Sequence, residues 1–219
     1  MNLSKYIDHT LLKPDSTKTD LERLCAEARH HLFAAVCIPP AMVERTTTMI
    51  AGSDIKLATV IGFPFGYSVT ATKMAELNQA IDDGAQELDV VINLIHLKNG
   101  EWHLLDQEMA AIIDQAHARN CIVKVIIESG ILTEKEIIAC CDLYGKLGAD
   151  FVKTSTGYAS KGASIEAVQL MRERLPPSVR IKASGGIRTY DFAKALIDAG
   201  ADRLGCSTSV AIVEGALTT

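Results

Sequence analysis

Short runs of apolar residues alternate along the chain with longer segments in which apolar residues recur at helical spacing. The runs are rich in Val and Ile and are mostly continuous, which is typical of strands buried on both faces of a parallel sheet. They occupy residues 33–38, 57–61, 88–92, 122–127, 151–154, 179–183 and 203–206, with a weaker run at 6–12. Because parallel strands need long crossover connections, this order predicts repeated strand–helix units.

A short repeat marks the ends of three predicted helices. A Gly-Ala pair begins at Gly84, Gly148 and Gly200, and glycine just past a helix is a common left-handed stop. The fifth residue after each of these glycines is Asp89, Lys153 and Gly205. We therefore expect these residues to be equivalent in their units, near the carboxyl ends of three strands and pointing in the same direction.

Eight strands in 219 residues predict a compact (β/α)₈ barrel that forms one domain over residues 1–219. The alternative is an open, doubly wound sheet. Neither a GxGxxG fingerprint after the first strand nor a Walker A sequence is present, so the barrel is favoured.

Composition narrows the functional classes. The net charge is −5 and no long basic run occurs, which argues against nucleic acid as a partner. No apolar run is long enough for a membrane span, and residues 1–12 lack the apolar stretch of a signal peptide. The six cysteines form no CxxC pair and are expected to be free thiols in a reducing compartment, the cytoplasm.

Lysines lie inside three predicted strands, at Lys124, Lys153 and Lys182. They could extend to solvent at strand ends or pair with carboxylates. Alternatively, burial and a nearby like charge lower the pKa of one amine, which can then attack a carbonyl and form a Schiff base. Spacing alone leaves the choice between Lys153 and Lys182 open. Asp89 is the candidate for proton transfer, although it could simply neutralise a lysine.

Further residues are candidates for binding a phosphorylated substrate. Asp8 is a second candidate for proton transfer, and loops after the seventh and eighth strands of such barrels commonly bind phosphate. The expected substrate-binding residues are Asp8, Thr10, Cys37, Thr154, Gly157, Gly185, Gly186, Ser207 and Thr208. Cys37 is expected to line the pocket as an inert thiol. No metal site is expected, because His9 is the only histidine on a predicted strand and no HExxH motif occurs.

Several motifs together resemble the deoxyribose-phosphate aldolase family. They are Tyr-Ile-Asp-His-Thr-Leu-Leu at 6–12, Ala-Val-Cys-Ile-Pro at 35–39, Val-Ile-Gly-Phe-Pro-Phe-Gly at 60–66, Glu-Leu-Asp-Val-Val-Ile-Asn at 87–93, Phe-Val-Lys-Thr-Ser-Thr-Gly at 151–157, Ile-Lys-Ala-Ser-Gly-Gly-Ile-Arg at 181–188 and Arg-Leu-Gly-Cys-Ser at 203–207. They follow the family's order over nearly the whole chain.

This resemblance implies reversible cleavage of 2-deoxy-D-ribose 5-phosphate to D-glyceraldehyde 3-phosphate and acetaldehyde. It implies that Lys153 forms the Schiff base, that Lys182 lowers the pKa of Lys153 and relays protons, and that Asp89 gives and takes protons. It also implies deoxynucleoside breakdown in the cytoplasm, no metal or other cofactor, and a homodimer.

The chain departs from the family pattern in its tail and in its loops. Some members have a C-terminal tyrosine that assists proton transfer, and residues 214–219 contain none. Tyr158 follows Gly157 where some members have lysine. Two alternatives remain at this point: another phosphosugar lyase or isomerase on the same barrel, and a phosphosugar-binding protein without catalysis.

Overall fold

The computed structural model describes residues 1–215 and contains a closed barrel of eight parallel strands in the order β1 to β8. The strands are β1 Ile7–Thr10, β2 Ala35–Ile38, β3 Lys56–Ile61, β4 Glu87–Val91, β5 Ile122–Ile126, β6 Phe151–Lys153, β7 Arg180–Ser184 and β8 Arg203–Cys206. Each of the eight predicted runs overlaps its strand, although β3, β4 and β7 each extend one residue beyond the predicted run. The predicted barrel is confirmed.

Helices connect the strands and cover the outside of the barrel. Within the described residues they are α1 Lys18–His31, α2 Val43–Met49, α3 Thr70–Asp82, α4 Leu94–Lys98, α5 Trp102–Ala118, α6 Glu134–Lys146, α7 Ile165–Arg174, α8 Tyr190–Asp198 and α9 Ser209–Gly215. None of these helices has the length and apolar character that a membrane crossing requires. Residues 216–219, the last part of the tail without tyrosine, lie outside the described residues.

Local sequence explains where several helices begin and end. Thr133 and Glu136 form a capping box at the start of α6, and Thr189 caps α8 by accepting a hydrogen bond from the Phe192 amide. Gly84, Gly148 and Gly200 have φ values of 107°, 76° and 114°, which a residue with a Cβ adopts only with strain. The Gly-Ala repeat therefore marks helix ends, as predicted.

The main apolar core lies between the barrel and its helices. One face of α1, with Leu21, Leu24, Cys25 and Ala28, is buried there, and α5 buries its predicted face in the same way. The barrel interior is different, because its apolar part is a small cluster of Cys37, Ala58 and Val60. Charged side chains fill much of the remaining interior, and they form the candidate site.

The ring closes where β1 pairs with β8, with Asp8 opposite Gly205. His9 faces the outside of the barrel at this seam. Its Nδ1 lies 2.9 Å from the Ser209 hydroxyl and its Nε2 lies 2.7 Å from the Glu27 carboxylate. The imidazole therefore links β1 to α1 and to the first residue of α9, and it lies outside the barrel interior.

Candidate active site

The candidate site is built around the carboxylate of Asp89, which is fully buried in the middle of β4. Its Oδ2 atom accepts hydrogen bonds from the amines of Lys153, at 2.6 Å, and Lys182, at 2.7 Å. Its Oδ1 atom accepts one from Lys124, at 2.8 Å. The three strand lysines therefore meet at one carboxylate, and the sequence prediction that Asp89 and Lys153 point in the same direction is confirmed.

Lys182 has a second carboxylate partner that Lys153 does not share. Its amine donates to Asp8 Oδ2 at 2.5 Å, and Arg203 occupies the other oxygen of Asp8 at 2.6 Å. Lys153 pairs with Asp89 alone among the carboxylates of the described residues. The two amines therefore differ in their surroundings although they are register neighbours on adjacent strands.

A lower layer of charges supports this group. The Lys124 amine contacts Glu87 Oε2 at 2.6 Å as well as Asp89. Together the cluster contains four basic side chains, Lys124, Lys153, Lys182 and Arg203, against three carboxylates, Asp8, Glu87 and Asp89. If one amine is neutral, the remaining charges balance. Because an unbalanced charge is costly away from water, the composition of the cluster favours one neutral amine.

The directions of the pKa shifts favour Lys153 as that amine. Burial lowers the pKa of Lys153; the Asp89 carboxylate opposes this, the Lys182 cation lowers the pKa further, and the net change is downward. Burial would also lower the pKa of Lys182, but Asp8 and Asp89 outweigh it and raise that pKa. The two neighbouring amines are therefore shifted in opposite directions.

The carboxylates remain anions. Burial would raise the pKa of Asp89, but Lys124, Lys153 and Lys182 outweigh it and hold the pKa well below its usual range. The pKa of Asp8 is lowered for the same kind of reason, since Lys182, Lys124 and Arg203 outweigh its burial. A proton needed in the reaction is therefore held on Lys182 in the resting site, close to both oxygen acceptors.

Cys37 lies in the barrel interior beside this cluster. Burial raises the pKa of its thiol to about 11, so the thiol stays protonated at neutral pH. The prediction was a pocket-lining, unreactive cysteine, and the position and pKa of Cys37 agree with it. Thr10, two residues after Asp8 on β1, is half-buried and uses its hydroxyl to donate to the Asp8 carbonyl.

The structure places the hydroxyl of Thr154 between strands. It donates to the Ser184 carbonyl at 3.2 Å and accepts from the Ser184 amide at 3.0 Å. Thr154 was predicted to bind substrate directly. Its hydrogen bonds join the carboxyl ends of β6 and β7 and hold the loops after these strands in place, and direct binding of substrate stays a prediction.

The predicted glycines lie where those two loops meet. A Cβ on Gly185 would lie 3.4 Å from Gly157 and 3.0 Å from Gly162, and Gly157 and Gly185 both have positive φ, at 89° and 88°. Larger residues would separate the loops. Beside them Gly186, Ser207 and Thr208 are exposed, so their polar groups are accessible to a ligand.

Gly205 has a separate role inside the barrel. A Cβ there would lie 3.2 Å from Lys182 Cε and 2.9 Å from Ser184 Cβ. The position equivalent to Asp89 and Lys153 therefore points into the site as predicted, and it has no side chain because Lys182 occupies the space.

Sequence reasoning missed Arg203, Glu87 and Glu128. The period of two in β8 gave a signal for Arg203, since it shares the inward face with Gly205. Glu128 follows β5 with a positive φ of 56°, and its buried carboxylate accepts from both the amide and the hydroxyl of Thr156. It thereby holds the segment that follows Lys153. Burial raises the pKa of Glu128, although the hydrogen bonds from Thr156 oppose it.

An eight-stranded barrel with a buried amine of lowered pKa beside a carboxylate defines a lysine-dependent enzyme that attacks carbonyl groups. The chain belongs to the DeoC/LacD family of aldolases, because the model described as "DeoC/LacD family aldolase" matches residues 3–216. The chain is therefore an aldolase, an aldehyde-lyase.

Individual relatives match over almost their full length. A deoxyribose-phosphate aldolase of Brevibacillus brevis is 48% identical over 219 residues, which are 100% of this chain and 98% of the relative. One from Thermococcus gammatolerans is 48% identical over 218 residues, 99% of this chain and 97% of the relative. Among solved structures, the deoxyribose phosphate aldolase from Aeropyrum pernix, described as a tetramer, has a TM-score of 0.91 and 32% identity, covering 99% of this chain and 91% of its own.

Proposed function

We propose that this aldolase reversibly cleaves 2-deoxy-D-ribose 5-phosphate to D-glyceraldehyde 3-phosphate and acetaldehyde, with Lys153 as the residue that forms the Schiff base. The observation that carries the proposal is the opposite pKa shift of Lys153 and Lys182 around the shared carboxylate of Asp89. A neutral amine attacks a carbonyl, and a neighbouring cation supplies and retrieves protons.

The reaction begins when the neutral Lys153 amine adds to the C1 aldehyde of the open-chain sugar. Loss of water gives a protonated imine, which withdraws electrons from the neighbouring C2–C3 bond. Removal of the proton from the C3 hydroxyl breaks that bond, releases D-glyceraldehyde 3-phosphate and leaves an enamine on Lys153. Protonation of C2 and addition of water release acetaldehyde and restore the amine.

Asp89 and Lys182 are suited to the proton transfers in this sequence. Asp89 accepts from both amines through one oxygen, so a proton has a short path between them. Lys182 stays a cation because of Asp8, and it returns the proton that the enamine needs. The route uses only side chains of the chain.

The phosphate would bind at the loops after β7 and β8. Gly186, Ser207 and Thr208 offer exposed amides and hydroxyls there, while Gly185 and Gly157 permit the close loop packing that presents them. Thr10 and Cys37 would line the sugar end of the pocket.

The deciding experiment detects acetaldehyde and a Lys153 adduct together. The protein is incubated with 2-deoxy-D-ribose 5-phosphate and acetaldehyde release is measured; separately, acetaldehyde and cyanoborohydride are added and peptides are mapped by mass. An N-ethyl group on Lys153 is expected. Release without an adduct would refute the imine, and an isomerised sugar without release would favour the isomerase alternative.

We further propose that the protein works in the cytoplasm as a homodimer. The six cysteines are unpaired and buried, which suits a reducing compartment. Phe65 and Tyr67 after β3 and Ile95 in α4 are more than half exposed and lie around one shared groove, where a second copy could cover them. Light scattering should give twice the chain mass, and Tyr67→Ser should weaken the association. A monomer would refute the dimer.

A further inference from the structure

The side chain of Tyr158 bridges the mouth of the barrel. Its hydroxyl donates to the Leu12 carbonyl at 2.8 Å, and its ring lies edge-on to Phe63 with centroids 5.5 Å apart. Tyr158 follows β6, whereas Leu12 follows β1 and Phe63 follows β3. Because the strands stand in sequential order around a closed ring, β6 lies opposite β2, and Tyr158 reaches the loops on the far side of the opening.

The residues that contact Tyr158 are linked to the reactive amine of Lys153 through Cys37. Leu12 and Phe63 pack on the interior cluster of Cys37, Ala58 and Val60. Cys37 in turn lies close enough to Lys153 for the lysine cation to lower the pKa of its thiol. Lys153 itself is only 3% exposed although it must meet an aldehyde. Apolar side chains therefore lie close to both the bridge and the reactive amine.

We infer that Tyr158 is a specificity-determining residue that limits the size of the aldehyde able to react with Lys153; this rests on the proposed Schiff-base function. Tyr158 is 49% exposed, and one neutral hydrogen bond and one ring contact hold it across the opening. Such contacts are weak enough to break and reform during turnover. On this inference, the methyl group of acetaldehyde passes under the bridge, whereas a branched or aromatic group meets Tyr158 and Phe63.

The test compares two aldehydes in one labelling reaction. Acetaldehyde or benzaldehyde is added with cyanoborohydride, and the rate of alkylation is measured by peptide mapping at Lys153 and at Lys18. The Lys18 side chain is 64% exposed and provides the intrinsic reactivity of each aldehyde. The Lys153-to-Lys18 ratio with acetaldehyde, divided by the same ratio with benzaldehyde, gives the size selectivity.

Tyr158→Ala should lower the size selectivity by about tenfold or more, the discrimination expected when a pocket wall is removed. Tyr158→Phe, which keeps the ring contact and loses the bond to Leu12, should lower it by about two- to fivefold. Ile131→Ala is the matched control, because Ile131 is a similarly exposed apolar residue, at 42%, in the segment that follows β5. It should leave the selectivity unchanged.

The outcomes separate this inference from the proposed function. If acetaldehyde fails to label Lys153 in the unaltered protein, the Schiff-base function is wrong. If acetaldehyde labels Lys153 but Tyr158→Ala retains the selectivity, only the role of Tyr158 is overturned. If Tyr158→Ala loses acetaldehyde labelling through misfolding, Tyr158→Phe decides, and an unchanged selectivity in that variant overturns the inference.

Discussion

Lys153 on β6 and Lys182 on β7 are register partners on adjacent strands, and their amines contact the same oxygen of Asp89. Both are buried, yet the pKa of Lys153 is lowered and that of Lys182 is raised. The difference is Asp8, which contacts Lys182 at 2.5 Å and leaves Lys153 with one carboxylate. The number of carboxylate partners, and not burial, therefore accounts for the opposite pKa shifts of the two amines.

The sequence analysis named burial and a nearby cation as the two causes of a lowered lysine pKa. In the structure both lower the pKa of Lys153: burial is the largest cause, and the Lys182 cation is a smaller one that acts against Asp89.

The largest loss of activity is expected when the Lys153 amine is removed. Lys153→Leu should reduce kcat/KM for 2-deoxy-D-ribose 5-phosphate by about a thousandfold or more, because the proposed nucleophile is lost. Steady-state kinetics checks the loss, and circular dichroism checks that the barrel remains folded. Near-normal turnover by a folded variant would assign the nucleophile elsewhere.

Removing the carboxylate that distinguishes the lysines should make them alike. Asp8→Asn leaves Lys182 with Asp89 alone, so its pKa should fall and part of the N-ethyl label should appear on Lys182. Turnover should fall on the order of a hundredfold, since a positioned proton carrier is lost. Asp15→Asn, at an exposed position of the β1–α1 loop, is the control. Label confined to Lys153 would show that Asp8 is not what separates the amines.

The pH dependence of kcat/KM tests whether the Lys182 cation lowers the pKa of Lys153. Lys153 reacts as a neutral amine, so kcat/KM should decline as pH falls through its lowered pKa, with a slope of one proton. Lys182→Met removes a cation beside Lys153, so the pKa of Lys153 should rise and the acid limb should move to higher pH. Residual activity of this variant is followed across the pH range. Lys56→Met, at the exposed start of β3, should not move the limb; a limb unmoved in Lys182→Met would contradict the coupling.

The smallest effect is expected at Arg203, which contacts Asp8 from the side opposite Lys182. Arg203→Gln should reduce kcat/KM by roughly two- to tenfold, because Asp8 loses one charged partner but keeps Lys182. The label should remain on Lys153, as measured by the same peptide mapping. A loss as large as that of Asp8→Asn would mean that Arg203 and not Lys182 is the essential partner of Asp8.

Local sequence patterns were sufficient to predict the barrel and the inward direction of Asp89 and Lys153, because strand burial and helix ends depend on near neighbours. They were insufficient to choose between Lys153 and Lys182. The deciding contact joins Asp8 and Lys182, which are 174 residues apart in the chain. The Tyr158 contact with Leu12 joins residues 146 apart, and local sequence patterns could not predict it either.

The closing seam between β1 and β8 has a consequence for how activity arises. Asp8 is in the first strand and pairs with Gly205 in the last, so the carboxylate that fixes the charge of Lys182 arrives only when the two ends of the barrel meet. A chain with strands β2 to β8 assembled would hold both lysines and Asp89 without the asymmetry between the amines. During refolding, recovery of turnover should therefore coincide with docking of the first strand, and enzymatic activity is a readout of completed ring closure.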